Sequence, residues 1–287
     1  MTMEASRNGK DAWSAPHGAE APEPDSAPSK PVLLFIDDDT YMRRLMSVRL
    51  ERLGAQVESL PSAQSALSFL QSNRPDVIIS DAVMPGMDGF ELCRQIKENP
   101  LLSSIPFVIL TALTRDLRQR SIQAGADDFL SKLETEVVFR MRARLALNLG
   151  SRISARSGEP GNPEPPRLLV VSGAKLIQTQ LETHLQKDGI EVQCVSSLDE
   201  ALAQLQASVP DALAVDFTQD PRILRDWLGQ VRALPGCAAL DAIVLATKEE
   251  EAGLGALEEH IQDRLLKPLD GQESRHRVKY LMRVARA

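Results

Sequence analysis

The second half of the chain repeats the first at a constant spacing, and this repeat limits the fold more than any single motif does. Pro75 and Pro210 lie 135 residues apart, as do Asp81 and Asp216, Gly54 and Gly189, Ala66-Leu67 and Ala201-Leu202, and Lys132 and Lys267. No gap interrupts the register. So many matches over one domain length point to duplication, and both halves should share one fold. A chain of 287 residues suits two domains, each able to bury its own core.

The fold class follows from how apolar residues are spaced. Short continuous apolar runs at Val32 to Ile36, Val77 to Ile79 and Phe107 to Leu110 suit parallel strands covered on both faces. Between them, Met42, Leu45, Met46, Leu50 and Leu53 fall on one face of a helix that Gly54 stops. Strand and helix therefore alternate, the pattern of an α/β protein with a parallel sheet. Residues 1–30 are rich in Ala, Pro, Ser, Gly and Glu without periodicity, and 158–166 are rich in Pro and Gly. The expected division is a disordered tail over 1–30, a first domain over 31–150, a linker over 151–166 and a second domain over 167–287.

Charge and cysteine usage exclude several classes. With 33 basic and 40 acidic residues the formal charge is −7, which argues against a chain built to hold nucleic acid or an anionic membrane. Cys93, Cys194 and Cys237 are odd in number and widely spaced, so they read as thiols in a reducing cytoplasm. The first 30 residues lack the apolar core of a signal peptide, and no later run approaches the ~18 apolar residues of a membrane span. A cytoplasmic protein is expected.

Acidic residues and a lysine fall where strands should end: Asp37 and Asp38 after the first run, Asp81 after the third strand, Lys132 after the last. Ligand sites of open parallel sheets form outside those carboxyl ends. Three converging carboxylates repel one another unless a cation sits among them, and oxygen ligands with room for water suit Mg²⁺. A carboxylate beside Mg²⁺ and a lysine ammonium is equipped to attack a phosphoryl group, which makes Asp81 the candidate nucleophile. An acidic run such as Asp37 to Asp39 alone is more often a solvated loop or helix cap. Its coincidence with Asp81, Thr111, Lys132 and the run Met84-Pro85-Gly86-Met87-Asp88-Gly89 changes that reading. Asp88-Gly89 itself reads as the opening of the third helix, with Cys93 and Ile96 facing inward.

From Pro31 to about Gly150 these residues resemble the receiver domains of two-component response regulators. The resemblance matches the family's acidic pair to Asp37 and Asp38, its phosphoacceptor to Asp81, its switch hydroxyl to Thr111, its lysine to Lys132 and its switch aromatic to Phe129. It implies a flavodoxin-like (βα)5 domain with a five-stranded parallel sheet that takes a phosphoryl group from a histidine kinase with Mg²⁺ bound at Asp37, Asp38 and Asp81. It also implies that Thr111 and Phe129 reorient on phosphorylation and reshape the face of the fourth helix, fifth strand and fifth helix. Leu133 stands where the family usually has proline, a departure at the loop that aims Lys132. The apolar Val83 and Leu113, two residues past Asp81 and Thr111, cannot polarise water, and a long-lived phosphoryl-aspartate is expected.

At the repeat spacing, the acidic pair becomes Ser172 and Gly173, Thr111 becomes Ala246 and Phe129 becomes Arg264, while Asp216 and Lys267 remain. One carboxylate in place of three lacks the charge to recruit Mg²⁺. The second domain therefore reads as a degenerate, flavodoxin-like pseudo-receiver in which Lys267 pairs with Asp216. His17, His184, His260 and His276 have no acidic or cysteine partners at metal spacing and read as surface or packing residues. Arg140, Arg142 and Arg144 read as the wet face of the first domain's last helix, with partner docking as the alternative.

The leading functional reading is a signalling switch, not a separate enzyme. No effector domain is expected, and the chain contains no Gly-Gly pair and so no diguanylate cyclase signature, although the first domain looks most like those of receiver-receiver-cyclase regulators. Output would pass through contacts with an unidentified protein; a homodimer stays open. The alternatives are a phosphorylation-independent scaffold, against which the intact set of five residues argues, and a phosphate sink, which Val83 and Leu113 disfavour.

Overall fold

A computed structural model describes residues 30–112, 115–155, 164–217 and 220–287. His17, Leu113, stretch 156–163 of the expected linker and all but Lys30 of the expected tail lie outside the described residues. The first unit alternates strand and helix throughout: β1 (Val32–Ile36), α1 (Thr40–Glu51), β2 (Gln56–Leu60), α2 (Ala63–Phe69), β3 (Val77–Asp81), α3 (Gly89–Glu98), β4 (Phe107–Thr111), α4 (Arg115–Gln123), β5 (Asp128–Ser131) and α5 (Glu136–Ala155). The second runs β6 (Arg167–Val171), α6 (Lys175–Leu185), β7 (Glu191–Val195), α7 (Leu198–Ala207), β8 (Ala212–Asp216), α8 (Pro221–Ala233), β9 (Asp241–Ala246), β10 (Asp263–Leu266) and α9 (Gly271–Ala285). A 3₁₀ segment, Glu250–Leu257, stands where α4 stands in the first unit. Gly253 and Gly255 lie within it, and glycine is a poor helix former.

Each unit forms a five-stranded parallel sheet, ordered β2-β1-β3-β4-β5 in the first and β10-β9-β8-β6-β7 in the second. Read from the opposite edge, the second order is the first displaced by one repeat. Alternate strand residues serve opposite faces, as the two-residue side-chain period requires. Leu34, Ile36, Ile78, Phe107 and Ile109 pack under α2 and α3 with Ala63, Ala66, Phe90, Cys93 and Ile96. Leu33, Phe35, Val77, Ile79, Val108 and Leu110 pack on the other face with Met46, Leu50, Phe139 and Ala143. The expected stripe on α1 holds at Met46 and Leu50, but Leu45 is 40% exposed.

α5 carries the joint between the units and continues to Ala155, past the boundary expected at Gly150. Phe139, Ala143, Ala146 and Leu147 face the first sheet, whereas Val138 and Met141 enter one core of the second unit and Leu145 and Leu149 the other. It is thus buried on several sides, and of the basic stretch Arg142 leaves the wet face while Arg144 stays exposed and Arg140 partly so. Arg142 is 1% exposed and donates through Nε to Asp263 at 2.7 Å; Arg140 reaches Glu258 at 2.7 Å and Arg144 reaches the same carboxylate at 3.3 Å. The reciprocal pair, Arg277 of α9 with Asp128 of β5, is equally buried. These two Arg–Asp pairs occupy equivalent positions of the repeat, so the contact has pseudo-two-fold symmetry.

Asp128 is pushed up to about 7 by burial despite Arg277 and Arg142. In Asp263 burial acts the same way, but Arg142 and Arg277 outweigh it and hold the carboxyl below its usual range. Asp263 lies 2.7 Å from Arg142 and 3.5 Å from Arg277, and Arg277 bonds Asp128.

Candidate functional site

The parallel arrangement brings the ends of β1, β3, β4 and β5 to one edge, and the singled-out side chains meet there. Asp37 follows β1, Asp81 closes β3, Thr111 closes β4 and Lys132 follows β5. Carboxylate oxygens of Asp37, Asp38 and Asp81 all lie within 4.8 Å of one another, with Asp37 and Asp81 buried and Asp38 exposed. The Lys132 ammonium stands 2.7 Å from Asp81 Oδ1 and 3.3 Å from Asp37 Oδ2. Thr111 is buried one strand over from Asp81, and its carbonyl accepts the Lys132 N–H at 2.9 Å.

Local chemistry fixes these positions. Asp39 caps α1 by accepting from the amides of Tyr41 and Met42, and its own amide donates to Asp37 Oδ1 at 2.8 Å. Arg43 donates to the carbonyls of Asp37 and Asp38 at 2.7 and 2.9 Å, tying the acidic turn to α1. Asp88 caps α3 as expected, accepting from Glu91 N at 2.8 Å. Gly89 is required at the start of α3: a Cβ there would lie 2.0 Å from the Asp81 carbonyl oxygen.

The charges are unbalanced, with three carboxylates facing one ammonium. Burial raises the Asp81 carboxyl above its usual range, Lys132 opposes that rise, and Asp37 adds to it. Burial works against the Lys132 ammonium, but Asp81 and then Asp37 outweigh it and hold Lys132 above the ordinary lysine range. Oxygen donors with a negative surplus suit a small hard dication.

Phe129 is fully buried at the joint between the units. Its ring stacks on His276 of α9 with centroids 5.2 Å apart, and the Arg277 guanidinium lies 4.3 Å from its centre. Val83 is 65% exposed beside the site.

The equivalent edge of the second unit is closed on itself. Ser172 Oγ donates to Asp216 Oδ2 at 2.7 Å, and the Lys267 ammonium lies 2.8 Å from Asp216 Oδ1 and 3.2 Å from Glu250. Glu250 also accepts from Thr247 N at 2.7 Å. Ala246 ends β9 and offers no hydroxyl. Arg264, at the position of Phe129, is buried between Glu251 at 3.1 Å and Glu134 of the first unit at 3.6 Å.

Sequence reasoning missed Arg43, Glu134, Glu250 and the buried Arg–Asp pairs. The pairs did leave a signal, since Asp128 and Asp263, like Arg142 and Arg277, share the spacing of the other repeat matches. Glu134 and Glu250 have no counterpart in the repeat and left none.

Comparison with known proteins agrees with this geometry. The response regulator receiver domain family matches residues 33–143. Transcriptional regulatory protein AfsQ1 of Streptomyces coelicolor is 30% identical over 210 residues, covering 72% of this chain and 85% of AfsQ1. Response regulator PleD of Caulobacter vibrioides is 29% identical over 273 residues, covering 86% of this chain, which spans 58% of PleD. A crystal structure of the receiver domain of a Syntrophus aciditrophicus histidine kinase is 34% identical, covering 46% of this chain and 97% of that one with a TM-score of 0.40. The chain belongs to the response regulators of two-component signalling systems, and its first unit contains their receiver domain.

Proposed function

We propose that Asp81 is the phosphoacceptor of this response regulator, that Asp37, Asp38 and Asp81 hold Mg²⁺, and that a histidine kinase is the phosphodonor. The observation carrying this reading is the convergence of three carboxylates within 4.8 Å, with Lys132 2.7 Å from one of them. An Asp81 oxygen attacks the phosphorus of the kinase's phosphohistidine; the P–O bond forms as the P–N bond breaks, and its electron pair returns to the imidazole. Bound Mg²⁺ would supply charge neutralisation at the transferring group. Lys132 stabilises the phosphoryl oxygens and Thr111 receives one of them by hydrogen bond.

The chain divides at the α5–β6 connection into this receiver and a pseudo-receiver, neither serving as a separate output enzyme, and acts in the cytoplasm. Among the described residues, no helix is long and apolar enough to cross a membrane. In the second unit Ser172 and Lys267 occupy both oxygens of Asp216, which supports a structural role for Asp216 and Lys267. That unit covers the face on which a receiver signals, so it is the first recipient of any change at Phe129, before a downstream protein. Incubation with acetyl phosphate tests the reading: adduct formation should require Mg²⁺ and stop on chelation. Equal labelling without divalent metal would overturn the metal assignment.

A further inference from the structure

The turn that aims Lys132 is held within its own unit and is also approached from the other. Leu133 is 82% exposed. The restraint lies on either side of it. The Leu133 amide donates to Ser131 Oγ at 3.0 Å and the Glu134 amide to the Ser131 carbonyl at 3.3 Å. The Glu134 carboxylate is buried, and its Oε1 is held by Arg142 of α5 and approached by Arg264 Nη2 from β10 at 3.6 Å. Both arginines converge on Asp263: Arg142 Nε and the Arg264 backbone N–H each donate to its Oδ1 at 2.7 Å. Arg264 is itself fixed by Glu251 at 3.1 Å. Glu134 is therefore the first-unit end of a buried ion-pair network anchored in the second unit, two residues from Lys132.

The geometry points to Arg264 as a positioning residue for Lys132: its charge, 3.6 Å from Glu134 across the joint, adds to the hold of Arg142 on the turn from which the ammonium reaches Asp81 and Asp37. The inference rests on the phosphoacceptor reading of Asp81. A buried carboxylate that loses one of two guanidiniums is left partly uncompensated and must shift or take up a proton. Either change loosens the Lys132 turn, and small displacements of a transition-state group cost rate steeply. The carboxylates proposed to hold metal sit at the ends of β1 and β3 and meet this clamp only through Lys132. A purely adhesive role for Arg264 would instead make it equivalent to any other cross-joint pair.

The test uses the full chain with acetyl phosphate, measuring the rate of adduct formation at saturating Mg²⁺ and the Mg²⁺ concentration for half-maximal rate. Arg264→Leu should slow the saturated rate roughly tenfold, with half-saturation essentially unmoved. Glu134→Gln should act in the same direction, and Arg264→Lys should restore part of the rate. Glu258→Gln breaks the cross-joint pairs with Arg140 and Arg144 without touching Glu134, and should keep the wild-type rate. The positioning role is overturned if folded Arg264→Leu and Glu134→Gln both react at the wild-type rate, or if Glu258→Gln slows the reaction as much as they do. A wild type that forms no adduct would overturn the phosphoacceptor reading and this inference with it.

Discussion

The two halves keep one scaffold and differ in how their sheet edges handle charge. In the first, Asp37, Asp38 and Asp81 face a single ammonium, and the surplus of negative charge leaves room for a dication. In the second, Ser172 donates to one oxygen of Asp216, Lys267 takes the other and Glu250 meets the same ammonium, so two carboxylates face one ammonium and both Asp216 oxygens have a donor within the chain. On the proposed reading, an acceptor aspartate and a lysine are insufficient for phosphoryl chemistry: the acidic pair Asp37–Asp38 makes the first edge a metal site, and Ser172–Gly173 in its place leaves Asp216 and Lys267 a structural pair.

The largest expected effect comes from converting one edge into the other. Asp37→Ser with Asp38→Gly should lower Mg²⁺-dependent phosphorylation about a thousandfold, the scale of losing preorganised transition-state electrostatics. A rate within tenfold of wild type would mean that the acidic pair is not what separates the halves.

The next effect concerns what the halves share. Arg277→Met would strand Asp128 in the joint and should destabilise the protein by about 3 kcal/mol in denaturant unfolding. Arg142→Met, its counterpart in the repeat, leaves Asp263 with Arg277 at 3.5 Å but also releases Glu134, and should cost a comparable few kcal/mol. A loss under about 1 kcal/mol in either variant would mean that the buried Arg–Asp pairs do not hold the units together.

A smaller effect follows from pH. Burial first, and then the nearby Arg277 charge, lower His276 to about 3. Its ordinary value is about 6.5, so the unfolded chain binds a proton that the folded chain refuses. The contribution is complete above pH 6.5 and is lost progressively as pH falls towards 3. Between pH 7 and pH 5 wild type should lose about 2 kcal/mol more than His276→Phe, which keeps a ring against Phe129 but cannot titrate. Parallel losses in both proteins would place the sensitivity elsewhere.

Much of this was legible in the sequence because it depends on local pattern. The apolar runs Val32 to Ile36 and Phe107 to Leu110 suit strands buried on both faces, which is what they form, and the gap-free register announced the second unit. Strand ends also placed Asp37, Asp38, Asp81, Thr111 and Lys132 at one edge. The joint was not legible in the same way. Arg140, Arg142 and Arg144 read as a basic stretch, but only Arg140 and Arg144 share a helix face; Arg142 points another way, and nothing local reveals that a second unit meets it there. Glu134 and Arg264 are far apart in sequence, so their proximity depends on docking geometry that no spacing encodes. The linker assigned to 151–166 overlapped α5, whose last residues have no Pro and continue to Ala155. In the structure Gly150 lies where a Cβ would come within 2.3 Å of the Asp76 carbonyl oxygen, so the glycine serves close packing and the helix runs on.

The most direct test of the central claim is the intact mass of wild type, Asp81→Asn and Asp216→Asn after incubation with Mg²⁺ and acetyl phosphate. One phosphoryl adduct on wild type and on Asp216→Asn, and none on Asp81→Asn, is the predicted result. Two adducts on wild type, or one that survives in Asp81→Asn and disappears in Asp216→Asn, would contradict it.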